Sequence, residues 1–406
     1  MPNPTISTAF SYQPLEEMLD VKPKESALYI GIPKETTYSE NRIALTPDAV
    51  SVLVNNGHNV LVANNAGEGS SYTNTAYSEA GAKIAHDAAE IFACEVIIKS
   101  APITEVELPL LKPNQLIISP IHVAALKSET LTQMMAKKIT GLSFENLKDD
   151  TGHNPIVRSM SEIAGSAVML IAAQYLSSAN NGKGVLLGGI SGIPPTKVVI
   201  IGAGIVGEYA ARTAIAMGAS VKVFDNNIYK LKRLQTNLNT RIWTSVLEPK
   251  ILAKQLKSCD VAVGALNHSG SGRTPMVVTE AMVMAMRPGS VIVDVSIDHG
   301  GCFETSKITT HPHPIKVVHD VIHYAVPNIA SGFARTASQA ISNVLMPLVL
   351  QASNEGGFDN LIWNKDTVRN GVYMYKGMMT NYHLSQRFNL KYTDLNLLVT
   401  SKHINY

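Results

Sequence analysis

Val198-Val199-Ile200-Ile201 is an apolar run of strand length that feeds straight into Gly202-Ala203-Gly204-Ile205-Val206-Gly207. A strand that ends in a Gly-x-Gly-x-x-Gly turn and opens a helix is the first half of a βαβ nucleotide-binding unit. Gly202 permits the tight turn, Gly204 lets a phosphate approach the backbone, and Gly207 brings helix and sheet together. The unpaired amides and dipole of the helix N-terminus then suit a pyrophosphate, with Ala203, Ile205 and Val206 leaving room for backbone contact. The next apolar run, Val221 to Phe224, ends in Asp225, roughly 20 residues on, where a carboxylate accepts the ribose hydroxyls. It also repels a 2′-phosphate. The expected cofactor is therefore NAD rather than NADP, although the turn alone would also admit a flavin.

The rest of the chain repeats this rhythm. Short apolar runs at Ala27–Ile32, His58–Ala63, Val96–Lys99, Gln115–Ile118 and Ile139–Phe144 form one series, interleaved with amphipathic segments. A second series runs through Val198–Ile201, Val221–Phe224, Val261–Ala265 and Val291–Val295. Strands alternating with helices imply parallel βαβ units, so the expected class is α/β with two Rossmann-like, doubly wound parallel-sheet domains. Between the two series lies an apolar segment, Ser161–Leu176, which predicts a buried linking helix capped by Ser159 or Ser161. Its apolar part, Ile163–Leu176, is too short for a membrane span. A helical pattern returns over Ala337–Gln351.

Composition narrows the partners. Lys plus Arg number 34 against 32 Asp plus Glu, so no global field draws in nucleic acid or an acidic membrane. Three scattered cysteines, Cys94, Cys259 and Cys302, make neither a disulfide framework nor a cysteine metal site. The N-terminus has no basic patch followed by an apolar run, and a cytoplasmic location is expected. His299, His311, His313, His319 and His323 crowd one region, but no carboxylate pair or cysteine completes a ligand spacing, and no metal is expected.

Several further blocks accompany the glycine turn: Gly31-Ile32-Pro33-Lys34-Glu35, Asn41-Arg42-Ile43-Ala44-Leu45-Thr46-Pro47, Gly57-His58, Ala66-Gly67-Glu68-Gly69-Ser70, Met160-Ser161-Glu162-Ile163-Ala164-Gly165 and Asp294 through Glu304. Together these resemble alanine dehydrogenase and the related soluble domain of proton-translocating transhydrogenase, over roughly residues 28 to 350. The resemblance implies a discontinuous substrate domain, 28–157 plus 336–406, an NAD domain, 158–335, and a cleft between them. Residues 1–27 would be an N-terminal arm.

By the same resemblance Arg42 is the carboxylate-binding arginine, His122 and Asp298 are the catalytic pair, and Ser161, Lys230, Leu266, Val295, Ile297 and Asn328 join the glycine turn and Asp225 as cofactor contacts. Glu145 matches a carboxylate near the active site. A planar guanidinium grips a carboxylate with two parallel hydrogen bonds, and a histidine after the strand-like run Gln115–Ile118 stands where open sheets place their sites. In one place the chain departs from the family, whose substrate-contacting lysine lies in a Lys-x-Lys-Glu-Pro block. Here the sequence reads Ile98-Lys99-Ser100-Ala101-Pro102. Aligned from the strand side, Lys99 matches the family's first, noncatalytic lysine, and aligned from Pro102 the catalytic position falls on Ser100. Because two lysines one residue apart share a strand face, a shortened strand end would still aim Lys99 into the cleft, and Lys99 is the expected substrate-binding group.

The implied activity is reversible oxidative deamination of L-alanine to pyruvate and ammonia with NAD, in a homo-oligomer that the family makes a hexamer. Two alternatives are a soluble transhydrogenase-type NAD(H)-binding subunit and a noncatalytic NAD-binding scaffold.

Overall fold

The apolar runs become strands. In the computed structural model, which describes residues 26–37, 40–123, 126–267 and 273–398, the first series forms β1 (Tyr29–Ile32), β2 (Asn59–Ala63), β3 (Lys83–Ala85), β4 (Val96–Ile98), β5 (Leu116–Ser119) and β6 (Thr140–Ser143). The second forms β7 (Lys197–Ile201), β8 (Ser220–Phe224), β9 (Trp243–Ser245), β10 (Val261–Gly264), β11 (Val291–Asp294), β12 (Ile315–Val318) and β13 (Val321–Tyr324). Late in the chain, β14 (Val372–Tyr375) and β15 (Met378–Met379) return to the first sheet. Residues 1–25 of the expected arm lie outside the described residues; Ser26 is tied down, its N–H donating to the Ser353 carbonyl at 3.3 Å.

The first sheet has the order β15-β14-β6-β5-β4-β1-β2-β3 and the second β12-β13-β11-β10-β7-β8-β9. Strands β1 to β6 pair in parallel, as do β7 to β11 with β13, so two doubly wound α/β sheets are present as expected. Every residue of β4, β5, β10 and β11 is buried, the mark of strands covered on both faces. In each sheet the order reverses beside the first strand, between β1 and β4 and between β7 and β10. The crevices at those reversals, beyond the carboxyl ends of the strands, are where open sheets hold ligands.

Three strands pair antiparallel: the edge strands β12 and β15, and β14, which lies between β15 and β6. The β12–β13 hairpin turns through His319 and Asp320, both left-handed at φ 53° and 58°, which gives the backbone of a tight two-residue hairpin without glycine.

The linking helix is longer than expected. It spans Pro155–Leu176, with Asn154 at its N-cap position and Pro155 in its first turn, where the fixed φ of proline favours initiation. Ser159 and Ser161 are interior and donate to the Pro155 and Val157 carbonyls at 3.0 and 2.8 Å, rather than capping. At 22 residues it is long and apolar enough, by length and composition alone, to cross a membrane, which corrects the shorter estimate. Ala164, Val168, Ile171, Ala172 and Tyr175 recur at helical spacing and lie in the core of the second sheet. A Cβ on Gly165 would stand 2.4 Å from the Val206 carbonyl oxygen, so only glycine lets this helix cross Ile205–Ala216 so closely. The chain returns through helix Ala334–Asn354, whose Ile341, Leu345 and Val349 fill the core of the first sheet.

Candidate functional site

The nucleotide end is built on β7. Gly202 has φ +117°, and a Cβ there would meet the Ala265 carbonyl oxygen at 2.3 Å; one on Gly207 would meet the Gly202 carbonyl oxygen at 1.9 Å. Both glycines are therefore obligatory for packing. At Gly204, the N-cap of helix Ile205–Ala216, a Cβ would meet nothing within 4 Å. Open space thus lies over a helix N-terminus whose first amides have no partner in the helical ladder, and this fits a pyrophosphate. Asp225 follows β8 and is buried, with Oδ2 accepting from the Ala203 N–H at 2.8 Å and Oδ1 from the Asn227 N–H at 2.7 Å. Its carboxylate is fixed for bidentate recognition, with one lone pair on each oxygen left for a diol. The Ala203 N–H, however, is committed to Asp225, which leaves pyrophosphate contact to the amides that follow.

The other expected cofactor residues lie on several elements, with the Leu266 backbone against Gly202. Leu266 and Val295 follow β10 and β11 and are half-buried, Ile297 is buried, and Lys230 is half-buried in the first turn of Ile228–Leu238. Ser161 is half-buried on the linking helix. Asn328 follows β13 in a left-handed conformation, φ 54°, an uncommon geometry that asparagine tolerates.

The first sheet contributes Arg42 beyond β1, His122 beyond β5 and Glu145 beyond β6. His122 is also left-handed, at φ 44°. Its Nε2 lies 3.8 Å from Glu145 Oε1, while Glu145 Oε2 accepts the N–H of the preceding Ile121 at 3.1 Å, so one carboxylate lies beside the ring and bonds the backbone that carries it. From the second sheet, Asp298 accepts the Asn328 N–H at 2.9 Å. Enclosure by protein pushes the Asp298 carboxyl up, opposed by the Asn328 amide and by the charges of His299, His122 and Arg42. The side chain itself is solvent-accessible, as a cleft-lining group would be. The charges of His122 and Arg42, from the first sheet, are thus felt at Asp298 on the second.

Lys99 is not in that group. Its side chain is 0% exposed, and Nζ donates to Glu35 Oε2 at 2.9 Å and Glu107 Oε1 at 2.6 Å. Glu35 Oε1 also accepts the Ser100 and Ala101 N–H groups at 2.5 and 3.1 Å. The expected projection of Lys99 into the cleft is therefore corrected: with β4 ending at Ile98, the side chain turns into a closed cage of two carboxylates beneath the loop. Burial raises the Glu35 carboxyl even against the neighbouring lysine charge.

Several residues at the site were not singled out from sequence. Arg42 is 7% exposed, and Glu40 holds it by two parallel bonds, Nε to Oε1 at 2.7 Å and Nη2 to Oε2 at 2.5 Å. The backbone of the same loop is pinned by serines: Asn41 N–H to Ser331 Oγ at 3.0 Å, Ile43 N–H to Ser338 Oγ at 2.9 Å and Thr46 N–H to Ser342 Oγ at 3.1 Å. Ser338 and Ser342, one helical turn apart on an otherwise apolar face, were the available signal. The crowded histidines have separate duties: His319 pairs with Glu280 at 2.7 Å and His323 with Thr305 at 2.8 Å.

Comparison with known proteins agrees with this arrangement. Residues 31–164 match the N-terminal domain and residues 167–382 the C-terminal domain of the alanine dehydrogenase/PNT family. Alanine dehydrogenase 2 of Staphylococcus aureus strain N315 is 36% identical over 365 residues, covering 89% of this chain and 97% of that protein. A solved L-alanine dehydrogenase superposes with a TM-score of 0.83 at 34% identity, covering 89% of this chain and 99% of the other. A transhydrogenase from Sinorhizobium meliloti shares the fold, with a TM-score of 0.74 at 22% identity over 87% of this chain and 99% of that one. With both halves matched and the relatives spanned nearly end to end, the chain belongs to the alanine dehydrogenase/PNT family.

Proposed function

We propose that this protein is an NAD-dependent alanine dehydrogenase, converting L-alanine reversibly to pyruvate and ammonia in the cleft between its two sheets. The observation that carries the reading is the bonded run Arg42–Glu40–Asn328–Asp298 that joins the two sheets, together with the open glycine turn and a fixed Asp225. When bound, NAD supplies the acceptor for the hydride that leaves the substrate α-carbon. The chain's own residues do the rest. Arg42 anchors the carboxylate through its Nη1 and Nη2 edge, since Nε and one Nη2 hydrogen are held by Glu40. His122, steadied by Glu145, exchanges protons with the oxygen or nitrogen on the reacting carbon, and Asp298 manages those of the attacking water and departing ammonia. Ser161, Gly202, Gly204, Ile205, Val206, Gly207, Asp225, Lys230, Leu266, Val295, Ile297 and Asn328 hold the dinucleotide, with Asp225 selecting NAD.

The reading extends to a substrate domain of 28–157 plus 336–406, an NAD domain of 158–335, a cytoplasmic homo-oligomer and closure of the cleft during turnover. The test is direct: NADH formation from L-alanine, glycine and L-serine, followed by absorbance at alkaline pH, and NADH consumption with pyruvate and ammonium. Rapid turnover of alanine supports the assignment. The enclosure of Lys99 favours one second reading, a noncatalytic NAD-binding scaffold. Tight NADH binding without turnover of any of these substrates would select it.

A further inference from the structure

The Glu40 carboxylate belongs to neither sheet alone. Its side chain is 3% exposed, and each of its oxygens bonds in two directions. Oε1 accepts Arg42 Nε at 2.7 Å, the Arg42 N–H at 3.0 Å and Ser331 Oγ at 3.4 Å; Oε2 accepts Arg42 Nη2 at 2.5 Å and Asn328 Nδ2 at 3.1 Å. Arg42 stands on the loop after β1, whereas Asn328 and Ser331 lie on the segment after β13. Asn328 is committed twice, by its side chain to Glu40 and by its backbone N–H to Asp298. A continuous set of bonds therefore runs Arg42–Glu40–Asn328–Asp298 from one side of the cleft to the other.

Two consequences follow from charge and geometry. Because Glu40 occupies Nε and one Nη2 hydrogen, it fixes the plane of the guanidinium; the partner of Nη1 is the soft Met160 Sδ at 3.4 Å, a weak acceptor that a carboxylate would displace. Any rotation of Arg42 toward a substrate anion must pull on a carboxylate that also holds Asn328. Buried charge-assisted bonds of this kind are not broken and remade freely, so displacement at one end is transmitted to the other.

We propose that Glu40 is a positioning residue that couples the substrate-carboxylate anchor Arg42 to the Asn328–Asp298 segment beside the cofactor, so that carboxylate binding and NADH binding each strengthen the other. This rests on the proposed function only in taking Arg42 as the carboxylate anchor and Asn328 as a cofactor neighbour. Coupling through one shared carboxylate is reciprocal by linkage.

The experiment measures NADH affinity by fluorescence titration, with and without saturating pyruvate, for the unmodified protein, Glu40→Gln, Asn328→Ala and the double variant. In the unmodified protein pyruvate should tighten NADH binding by about five- to tenfold. Glu40→Gln should bring that ratio close to one, raise KM for pyruvate about tenfold and change kcat much less. Asn328→Ala weakens NADH binding by itself, but the ratio should again collapse, and the double variant should lose no more than the worse single variant. Should Glu40→Gln fail to fold by circular dichroism, Asn328→Ala and Ser331→Ala carry the test, since both spare the Arg42–Glu40 pair. An unmodified ratio of one, a Glu40→Gln ratio above half the unmodified value, or additive losses in NADH affinity would overturn the proposal. Absence of alanine turnover in the unmodified protein would instead refute the functional reading, and the non-additivity in NADH affinity would remain measurable.

Discussion

Replacing Lys99 by methionine removes one charge and almost no volume from a closed cage. The unmodified side chain is 0% exposed and its two partners, Glu35 and Glu107, are each 6% exposed, with Nζ contacts of 2.9 and 2.6 Å. Glu35 keeps the Ser100 and Ala101 amides and Glu107 keeps the Thr104 amide at 2.8 Å, but no cation remains between two buried carboxylates. Breaking a buried pair by deleting one partner costs about 3–5 kcal/mol, because the other charge is left uncompensated. In a unit of roughly 200 residues that lowers Tm by about 6–20 °C. The loss should depend on pH. Burial already raises the Glu35 carboxyl, and a group whose folded-state pKa is raised is favourable to folding while protonated and loses that contribution as pH rises through the folded pKa. Without Lys99 the carboxyl rises further, so the gap between variant and unmodified protein should be smallest near pH 5 and widen toward pH 8. Thermal melts by circular dichroism across that range give the result, and alanine KM measured on the folded variant should stay near its unmodified value. A Tm within about 2 °C of the unmodified protein together with a raised alanine KM would refute the cage and return Lys99 to the substrate.

Three further outcomes are expected. Asp225→Ser should relax the preference for NAD over NADP by about tenfold, about 1.4 kcal/mol, in kcat/KM ratios measured with both cofactors; unchanged preference would remove Asp225 from the ribose site. His122→Ala should lose about 100- to 10,000-fold in turnover while keeping NADH affinity by fluorescence, whereas a loss confined to affinity would make His122 a binding residue. Asp294, the buried last residue of β11, accepts the Cys302 N–H at 3.2 Å and is pushed up to about 6 by burial. Its ionisation therefore costs the fold about 1.4 kcal/mol between pH 5 and pH 8. Asp294→Asn should remove that slope in denaturant unfolding, and an identical pH dependence in both proteins would show that Asp294 does not titrate there.

Much of the fold was legible because parallel strands buried on both faces leave a plain apolar trace. Val198–Ile201 and Val291–Val295 stood out for that reason, and the glycine turn fixed the direction of the chain around them. What escaped notice was short or conditional. β15 has two residues, β9 three, and β12 has no buried position and lies on an antiparallel edge that no βαβ rhythm foretells. At the site, Arg42 and Asp298 drew notice because they sit in matched blocks, and His122 because it follows the apolar run Gln115–Ile118. Lys99 shows the limit, because period-two alternation assigns a face to a residue only while the strand lasts, and β4 stops one residue earlier. Glu40 escaped for another reason. A glutamate two residues before an arginine reads as a solvated loop pair, and only the folded chain brings Asn328 and Ser331 to the same carboxylate.

The precision of Arg42 is a backbone matter before it is a side-chain one. The amides of Asn41, Ile43 and Thr46 belong to a loop that no strand or helix pairs, and buried amides need partners. Ser331, Ser338 and Ser342 supply them from the segment by which the chain leaves the second sheet and returns to the first. A loop bonded only to its own sheet could drift relative to Asp298; bonded to this return segment, it is indexed to the element that also carries Asn328. The serines cost their helix some apolar packing on the face that holds Ile341 and Leu345. Their hydroxyls offset that cost by satisfying amides that would otherwise be buried without partners, which is why small polar residues recur there at helical spacing. The loop of Arg42 and the segment of Asn328 thus share one rigid reference.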